Sequence, residues 1–308
     1  MSEGPADPCP RDPLFDQPGE VLYADLSDRL FDASGTWSMR GNGEMLWLDP
    51  RPRADALHLL YQQYYTHEAA AGSPGGLIGM LYKQSVGRLA YMRERAAMQV
   101  MHLGPGEARR VLDVGCGDGA LLASLRDMGW QVEGQEVDAQ AASRAKEQYD
   151  IDVHVGEIEH IDLPEAAFDA VVMNHVVEHL PKPLLVLRRA RALLKPSGEL
   201  IATTPNCRSF GHARFGCEWR GLEVPRHLQV FSTITLQRLA ETAGFAGIRV
   251  TTSCARAQAF ARGSLDIRAG VPGGVTRDLQ ALLFQWRACF HHHRHPDSGE
   301  ELILRAIR

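Results

Sequence analysis

The nine residues Val111-Leu112-Asp113-Val114-Gly115-Cys116-Gly117-Asp118-Gly119 constrain the fold of this chain more than any other stretch. Apolar residues interrupted by one acid, then three alternating glycines, read as a buried strand ending in a tight turn. Leu121, Leu122 and Leu125 follow at helical spacing, so the turn opens a helix. Glycine carries no Cβ and takes positive φ freely, which lets backbone approach a ligand closely. The first N–H groups of a helix have no partner within it and suit the same task.

Downstream of this loop the pattern alternates. Strands are expected at 110–114, 131–136, 151–155, 168–173, 198–203, 245–251 and 302–307. Helices near 120–128, 139–149, 183–194 and 232–243 fall between them, the last capped by Ser232 or Thr233. This alternation predicts an α/β fold, a Rossmann-like doubly wound sheet of seven strands.

Upstream, residues 1–20 are rich in Pro, Asp and Gly and read as irregular. Trp37, Leu46, Trp47 and Leu48 suggest short strands within 21–52. That segment is too short for its own core, so it should pack on the main domain. Helices are expected at 54–65 and 77–101, on either side of the Gly-rich break 71–76. Three regions follow: a small appendage (1–52), a helical lid or cover (53–105) and a ligand-binding domain (106–308). The last carries an insertion, 254–298, before its final strand. Within it a helix is expected at 277–290, and His291-His292-His293-Arg294-His295 reads as an exposed polar turn rather than a metal site.

Bulk properties narrow the partners. A net charge of −5 argues against nucleic acid. No stretch approaches the roughly 20 apolar residues of a membrane span. The acidic, Pro-rich N-terminus has no apolar core of a secretory signal. The six cysteines lack framework spacing, which fits reduced thiols in the cytoplasm.

The loop's own chemistry limits its ligand. A dinucleotide fingerprint is G-x-G-x-x-G, whereas here Gly119 comes one position early and Asp113 stands two residues before the first glycine. A carboxylate there is poor for a pyrophosphate and good for a cationic amino-acid moiety. Glu136 ends the second strand, 21 residues after Gly115, and can accept hydrogen bonds from both hydroxyls of a ribose. Asp138 is the nearby competitor. Gly156-Glu157-Ile158-Glu159 after the third strand could line an adenine.

In this order the motifs resemble those of class I S-adenosylmethionine-dependent methyltransferases. VLDVGCGDG looks like their first motif, and VEGQE matches the second-strand acid, with Glu136 in place of the commoner Asp. FDAVVMNHVVEHLPKP resembles the fourth-strand motif and LLKPSGELIATTPN the fifth strand. The resemblance covers about 77–252 and the final strand, and implies that this last strand is antiparallel. It implies S-adenosyl-L-methionine as cofactor, held by Asp113, Gly115, Cys116, Gly117, Glu136, Val137, Glu157, Ile158 and Asn174. A closer likeness is to bacterial methyltransferases encoded with polysaccharide and envelope genes, carried by Asp28-Arg29-Leu30-Phe31, Trp47-Leu48-Asp49-Pro50-Arg51-Pro52, Tyr64-Tyr65-Thr66-His67 and the run from Trp219 to Leu228. Those proteins commonly begin with a zinc ribbon of two C-x-x-C pairs. Here only Cys9 of the first pair remains and Arg40-Gly41-Asn42-Gly43 keeps neither cysteine of the second, so the ribbon is expected to have lost its metal.

The implied reaction is in-line transfer of a methyl from a sulfonium, in which alignment and exclusion of water carry most of the catalysis. A hydroxyl acceptor would need a base. His175, just past the fourth strand, His179 four residues later and His227, as base or substrate contact, are the candidates; the competing readings are a backbone-only cofactor contact for His175 and a loop-fixing hydrogen bond for His179. Arg220 and Arg226 suit either an anionic substrate group or structural salt bridges. Tyr64 and Tyr65 suit a lid or core packing, while Trp37 and Trp47 read as packing residues. The expected function is methyl transfer to a small-molecule acceptor, most simply a hydroxyl of a sugar, lipid-linked or natural-product substrate. The alternatives are a non-catalytic S-adenosylmethionine-binding regulatory or scaffold protein, and an NAD-dependent oxidoreductase, which the glycine spacing disfavours. No metal ligands are assigned.

Overall fold

The computed structural model describes residues 6–28, 35–53 and 90–308. Three N-terminal strands, β1 (Glu20–Leu26), β2 (Trp37–Gly41) and β3 (Met45–Asp49), form an antiparallel meander. Helix α1 (Ala90–Gln99) leads into the alternating region. There β4 (Arg110–Val114), α2 (Ala120–Asp127), β5 (Gln131–Glu136), α3 (Ala139–Tyr149) and β6 (Val153–Val155) build one half of a sheet. The other half comes from β7 (Phe168–Asn174), α4 (Pro183–Leu193), β8 (Leu194–Pro205), a short helix α5 (Phe210–Phe215), β9 (Gln229–Phe231), α6 (Thr233–Thr242) and β10 (Ala246–Ser253). Helices α7 (Ala257–Ala269) and α8 (Val275–Arg294) precede the last strand, β11 (Glu301–Ile307).

The main sheet has seven strands in the order β10-β11-β8-β7-β4-β5-β6. β4 pairs in parallel with both β5 and β7, and β11 runs antiparallel to both of its neighbours. The chain moves outward from β4 to β6 and then returns to β4's other side as β7. The strand order therefore reverses between β4 and β7, and open α/β sheets bind ligands at the carboxyl ends beside such a reversal.

Local chemistry explains the elements nearest that point. β7 reads Phe-Asp-Ala-Val-Val-Met-Asn and is buried through most of its length, as a strand covered on both faces must be. The Asp138 side chain caps α3 by accepting from Gln140 N, and Ser232 with Thr235 closes a capping box on α6. Gly119 starts α2 at φ 81°, where a side chain would be strained, and an added Cβ would lie 2.9 Å from Ala145 Cβ. The third glycine thus brings α2 onto α3.

The N-terminal strands are built into the core of the molecule. β3 pairs with β9, so the meander and β9 form one four-stranded sheet. Met45 and Trp47 join the core of the large sheet, while Leu46 and Leu48 join a second core. This second core also holds Trp219, Leu222, Phe260, Phe284 and Ala288. A strand with an apolar cluster on each face is apolar at successive positions, and β3 is buried from Met45 to Leu48. Trp37 and Trp47 pack as expected, and Trp47 donates its indole N–H to Cys9 O at 2.8 Å.

The histidine run departs from the exposed turn expected of it. His291 to Arg294 form the last turn of α8, where His291 stacks on Phe210 with centroids 4.6 Å apart. The expected lid falls largely on 54–89, outside the described residues, as do Tyr64 and Tyr65. Among the described residues no helix is long and apolar enough to cross a membrane.

Candidate active site

The glycine loop is tied to β5 rather than opened outward. Gly115 N and Cys116 N both donate to Gln135 O, at 2.8 and 3.0 Å, and Gly117 N donates to Glu136 Oε2 at 2.9 Å. Val137 N and Asp138 N donate to the other oxygen, Glu136 Oε1, at 2.7 and 3.0 Å. Amides used this way do not form a phosphate cradle, which agrees with the loop's poor match to a dinucleotide motif. Gly115 has φ 72°, and an added Cβ would come within 2.6 Å of Val176 Cγ2, so glycine lets the loop approach the segment after β7.

Asp113 is the anomaly. It is buried at the end of β4, and its Oδ1 has no hydrogen-bond partner. Burial, reinforced by the neighbouring Glu136, pushes its pKa well above the usual carboxylate range. A buried carboxyl left unsatisfied beside a second acid is costly. Such a site is relieved by a cation that donates hydrogen bonds.

The other expected cofactor contacts are distributed unevenly. Val137 is 58% exposed beside Glu136 and offers an apolar surface. Asn174 stands at the end of β7, its Oδ1 accepting from Thr203 Oγ1 at 2.7 Å. Glu157 is exposed and 3.2 Å from His160. Ile158 and Cys116 turn inward, Ile158 into the main core, and burial together with Asp113 and Glu136 raises the Cys116 thiol pKa. Neither side chain faces outward, so their expected roles reduce to the backbone.

Next to the loop lies a polar cluster in which Glu178, Glu301 and His227 are buried and His175 and His179 half-buried. His175 has φ 56° and spans two carboxylates: Nδ1 lies 3.0 Å from Glu178 Oε1 and Nε2 lies 2.7 Å from Glu301 Oε1. Burial alone would lower its pKa, but the two hydrogen bonds outweigh it and lift the value to about 9. Burial would likewise raise Glu178, and His175 instead holds it at about 2. A value of about 9 favours the charged ring at pH 7, a state that does not accept a proton, and Arg256 Nη1 also lies 3.2 Å from Nε2.

This arrangement has a pH signature. A histidine raised from 6.5 to about 9 stabilises the fold fully below pH 6.5, and that contribution disappears as pH rises through 9. The stability advantage of wild type over His175→Gln should shrink by about 3 kcal/mol across that window. Urea unfolding of both proteins between pH 6 and about 9.5 measures it. Parallel curves would contradict the assignment.

His179 and His227 come together through backbone contacts. Leu228 N donates to Glu178 O at 2.9 Å, and Gln229 Nε2 donates to the carbonyls of Val177, Glu178 and Leu180. The segment before β9 is thereby fixed to the 3₁₀ turn Val177–His179. The two imidazoles stand 4.6 Å apart, edge to face. His179 Nδ1 is 3.1 Å from Arg226 O and His227 Nδ1 is 2.8 Å from Gly221 O. His227 Nε2 lies 3.6 Å from Glu223 Oε2 and 4.0 Å from Glu178 Oε1. Burial depresses the His227 pKa to about 4, against the opposing pull of Glu223, so this ring is neutral at pH 7.

Both arginines stand in salt bridges. Arg226 is 1% exposed and pairs with Asp28 at 2.6 Å, while Arg220 pairs with Glu223. None of Glu178, Glu223, Glu301 and Asp28 was given a role from the sequence, although Asp28, Glu178 and Glu223 lie in stretches that carry the family resemblance.

The strand order thus reverses beside a buried acid with an unsatisfied oxygen near the end of the first strand and an acid at the end of the second. A family model described as a methyltransferase domain matches residues 88–250, more than half of the chain. The chain belongs to that family, within the class I S-adenosylmethionine-dependent methyltransferases. It is 34% identical over 164 residues to a ubiquinone biosynthesis O-methyltransferase of Bradyrhizobium diazoefficiens, covering 50% of this chain and 64% of the relative. It is 32% identical over 147 residues to the protein of that name from Xanthomonas campestris pv. campestris, covering 45% and 58%. The match thus spans less than two thirds of these relatives. Phosphoethanolamine N-methyltransferase 2 of Haemonchus contortus, solved with S-adenosyl-L-methionine, shares the fold with a TM-score of 0.51. It is 15% identical, covering 94% of this chain and 68% of that one.

Proposed function

We propose that this protein transfers a methyl group from S-adenosylmethionine to a hydroxyl of a small-molecule acceptor. The observation that carries the cofactor side is the buried Asp113 carboxyl at the sheet's reversal point, whose Oδ1 has no hydrogen-bond partner. It suits the ammonium of the methionyl moiety, while Glu136 suits the ribose hydroxyls and Val137 an apolar face of adenine. Gly115 and Gly117 line the loop, Asn174 stands at the adjacent strand end, and Glu157 with Ile158 border the adenine side. The bound cofactor supplies a methyl on a cationic sulfur, so departure of the leaving group needs no acid.

The remaining work falls to the protein. His175, locked between Glu178 and Glu301, holds the turn that carries Glu178 and His179. The cluster of Glu178, His179, His227 and Glu223 is the place for the acceptor's hydroxyl and for its proton. Oxygen methylation is supported by the names of the relatives, and the sugar, lipid-linked or natural-product class of acceptor by the sequence resemblance. Free cysteines throughout the described residues fit a cytoplasmic setting.

Isothermal titration with S-adenosylmethionine should give one site per chain. Transfer of a labelled methyl to hydroxyl acceptors, with none to amines of similar shape, checks the rest. A protein that binds cofactor but methylates nothing in a broad acceptor panel would favour the non-catalytic alternative.

A further inference from the structure

Cys254 directly follows β10 and Cys289 lies late in α8, and their Sγ atoms stand 3.1 Å apart. We infer that these two thiols form an oxidation site, at which hydrogen peroxide joins them in a reversible disulfide that links β10 to α8. Both fall beyond residues 88–250, the part of the chain matched by the family model.

The contacts around the pair converge on one sulfur. The Cys254 thiol donates to Cys289 Sγ, and Gln285 Nε2, one helical turn earlier, donates to the same atom at 3.2 Å. Gln285 is buried, and its amide also donates to Cys254 O at 2.7 Å and accepts from Gln258 N at 2.9 Å. One side chain thus fixes both cysteines and the start of α7. A sulfur that accepts two hydrogen bonds is stabilised as the thiolate. These bonds, the one from Cys254 first, hold the Cys289 pKa below the ordinary thiol value against the opposing effect of burial. The same contact, together with burial, raises Cys254, which keeps its proton.

The pair therefore divides into a nucleophile and a partner that resolves it. Cys289 is half-buried, which admits a small oxidant, whereas Cys254 is buried. Burial raises the pKa of Cys9, Cys116 and Cys207, which makes those thiols poorer nucleophiles.

The chemistry balances without any further reactant. The Cys289 thiolate sulfur bonds to one peroxide oxygen, the oxygen–oxygen bond breaks, and the departing hydroxide takes up a proton as water. The Cys254 sulfur then bonds to Cys289 Sγ, the sulfur–oxygen bond of the sulfenic acid breaks, and the second hydroxide leaves as water with the Cys254 proton. Both sulfurs are oxidised and the peroxide is reduced to two waters.

The site lies next to the polar cluster. Ser253, the residue before Cys254, pairs with Glu301, and Arg256, two residues after it, places Nη1 3.2 Å from both Glu301 Oε1 and His175 Nε2. Drawing Cys254 toward α8 moves the segment that holds this cluster, so oxidation should slow methyl transfer. That consequence rests on the proposed function, whereas the oxidation itself does not.

The test treats the reduced full chain with hydrogen peroxide, in a Cys217→Ser background that removes an exposed thiol. Remaining thiols are blocked under denaturing conditions and the chain is mapped by mass spectrometry. A peptide pair joined through Cys254 and Cys289, separated again by dithiothreitol, is the expected product. Cys254→Ser should stop at the sulfenic acid of Cys289, which dimedone traps, and Cys289→Ser should slow oxidation of Cys254 by roughly tenfold or more. Circular dichroism and S-adenosylmethionine titration establish that each variant is folded. Both cysteines recovered reduced from the folded, peroxide-treated chain would overturn the site, as would dimedone on Cys254 instead of Cys289. The kcat of the oxidised chain should fall by roughly tenfold or more and recover with dithiothreitol, and Cys289→Ser should lose this response. A disulfide that leaves kcat unchanged would overturn the link to the polar cluster. Absence of methyl transfer in the reduced chain would overturn the proposed function and leave the disulfide standing, so the two failures are told apart.

Discussion

Asp113→Asn should weaken S-adenosylmethionine binding while making the ligand-free protein more stable. The carboxyl is buried, has one oxygen without a partner and lies within the field of Glu136, so the folded state bears its cost before any ligand arrives. Replacing the acid by its amide removes the charge and keeps the shape. Losing a charge-assisted hydrogen bond to the ligand is worth about 1.5–3 kcal/mol, which is roughly a 10–150-fold rise in Kd. The gain in the free protein should be about 1 kcal/mol or more.

Its sign with pH follows from linkage. An acid raised above 3.8 in the folded state binds more protons there than in the unfolded chain, so stability falls as pH rises from that value upward. The variant should lack this loss, and its advantage should grow toward alkaline pH. Calorimetric titration gives the affinity and urea unfolding at two pH values the stability. A variant that loses affinity and stability together would mean that Asp113 supports the fold rather than the ligand.

The same residue shows how far local sequence reaches. Asp113 and Glu136 could be assigned because strand, loop and helix are adjacent in the chain. β4, β5 and α3 fall where their patterns place them. β9 could not be found this way. Its three residues pair with β3, some 180 residues earlier, and no local periodicity encodes such a partner. Helix α7 was missed because its apolar positions are filled largely by small residues and interrupted by Gly263, where an added Cβ would crowd the Arg220 side chain. His175 was read as a base, and in the fold its two ring nitrogens face Glu178 and Glu301. Glu178 stands three residues away, but Glu301, which completes the imidazolium, comes from the antiparallel last strand, 126 residues on. Protonation states depend on what surrounds a side chain, and here tertiary contacts supply half of it.

The second large effect is expected far from the loop, at Asp28→Ala. Asp28 and Arg226 are buried together, with Oδ2 and Nη2 2.6 Å apart. Removing one partner of a buried pair leaves the other charge in a medium that solvates it poorly, at a cost of about 3–5 kcal/mol. Replacing both by apolar residues, as in Asp28→Ala with Arg226→Met, should recover much of that loss. Urea unfolding of the two single variants and the double variant closes the cycle, and strict additivity would rule the pair out as a coupled unit. The consequence for function is specific. Arg226 O holds His179 Nδ1, and Arg226 N donates to Glu223 O at 2.8 Å, so the arginine's backbone anchors both sides of the polar cluster. A displacement of about 1 Å at reacting groups can cost 100-fold in rate. Asp28→Ala should therefore lower kcat for methyl transfer well below what its folded fraction accounts for, with cofactor affinity unchanged.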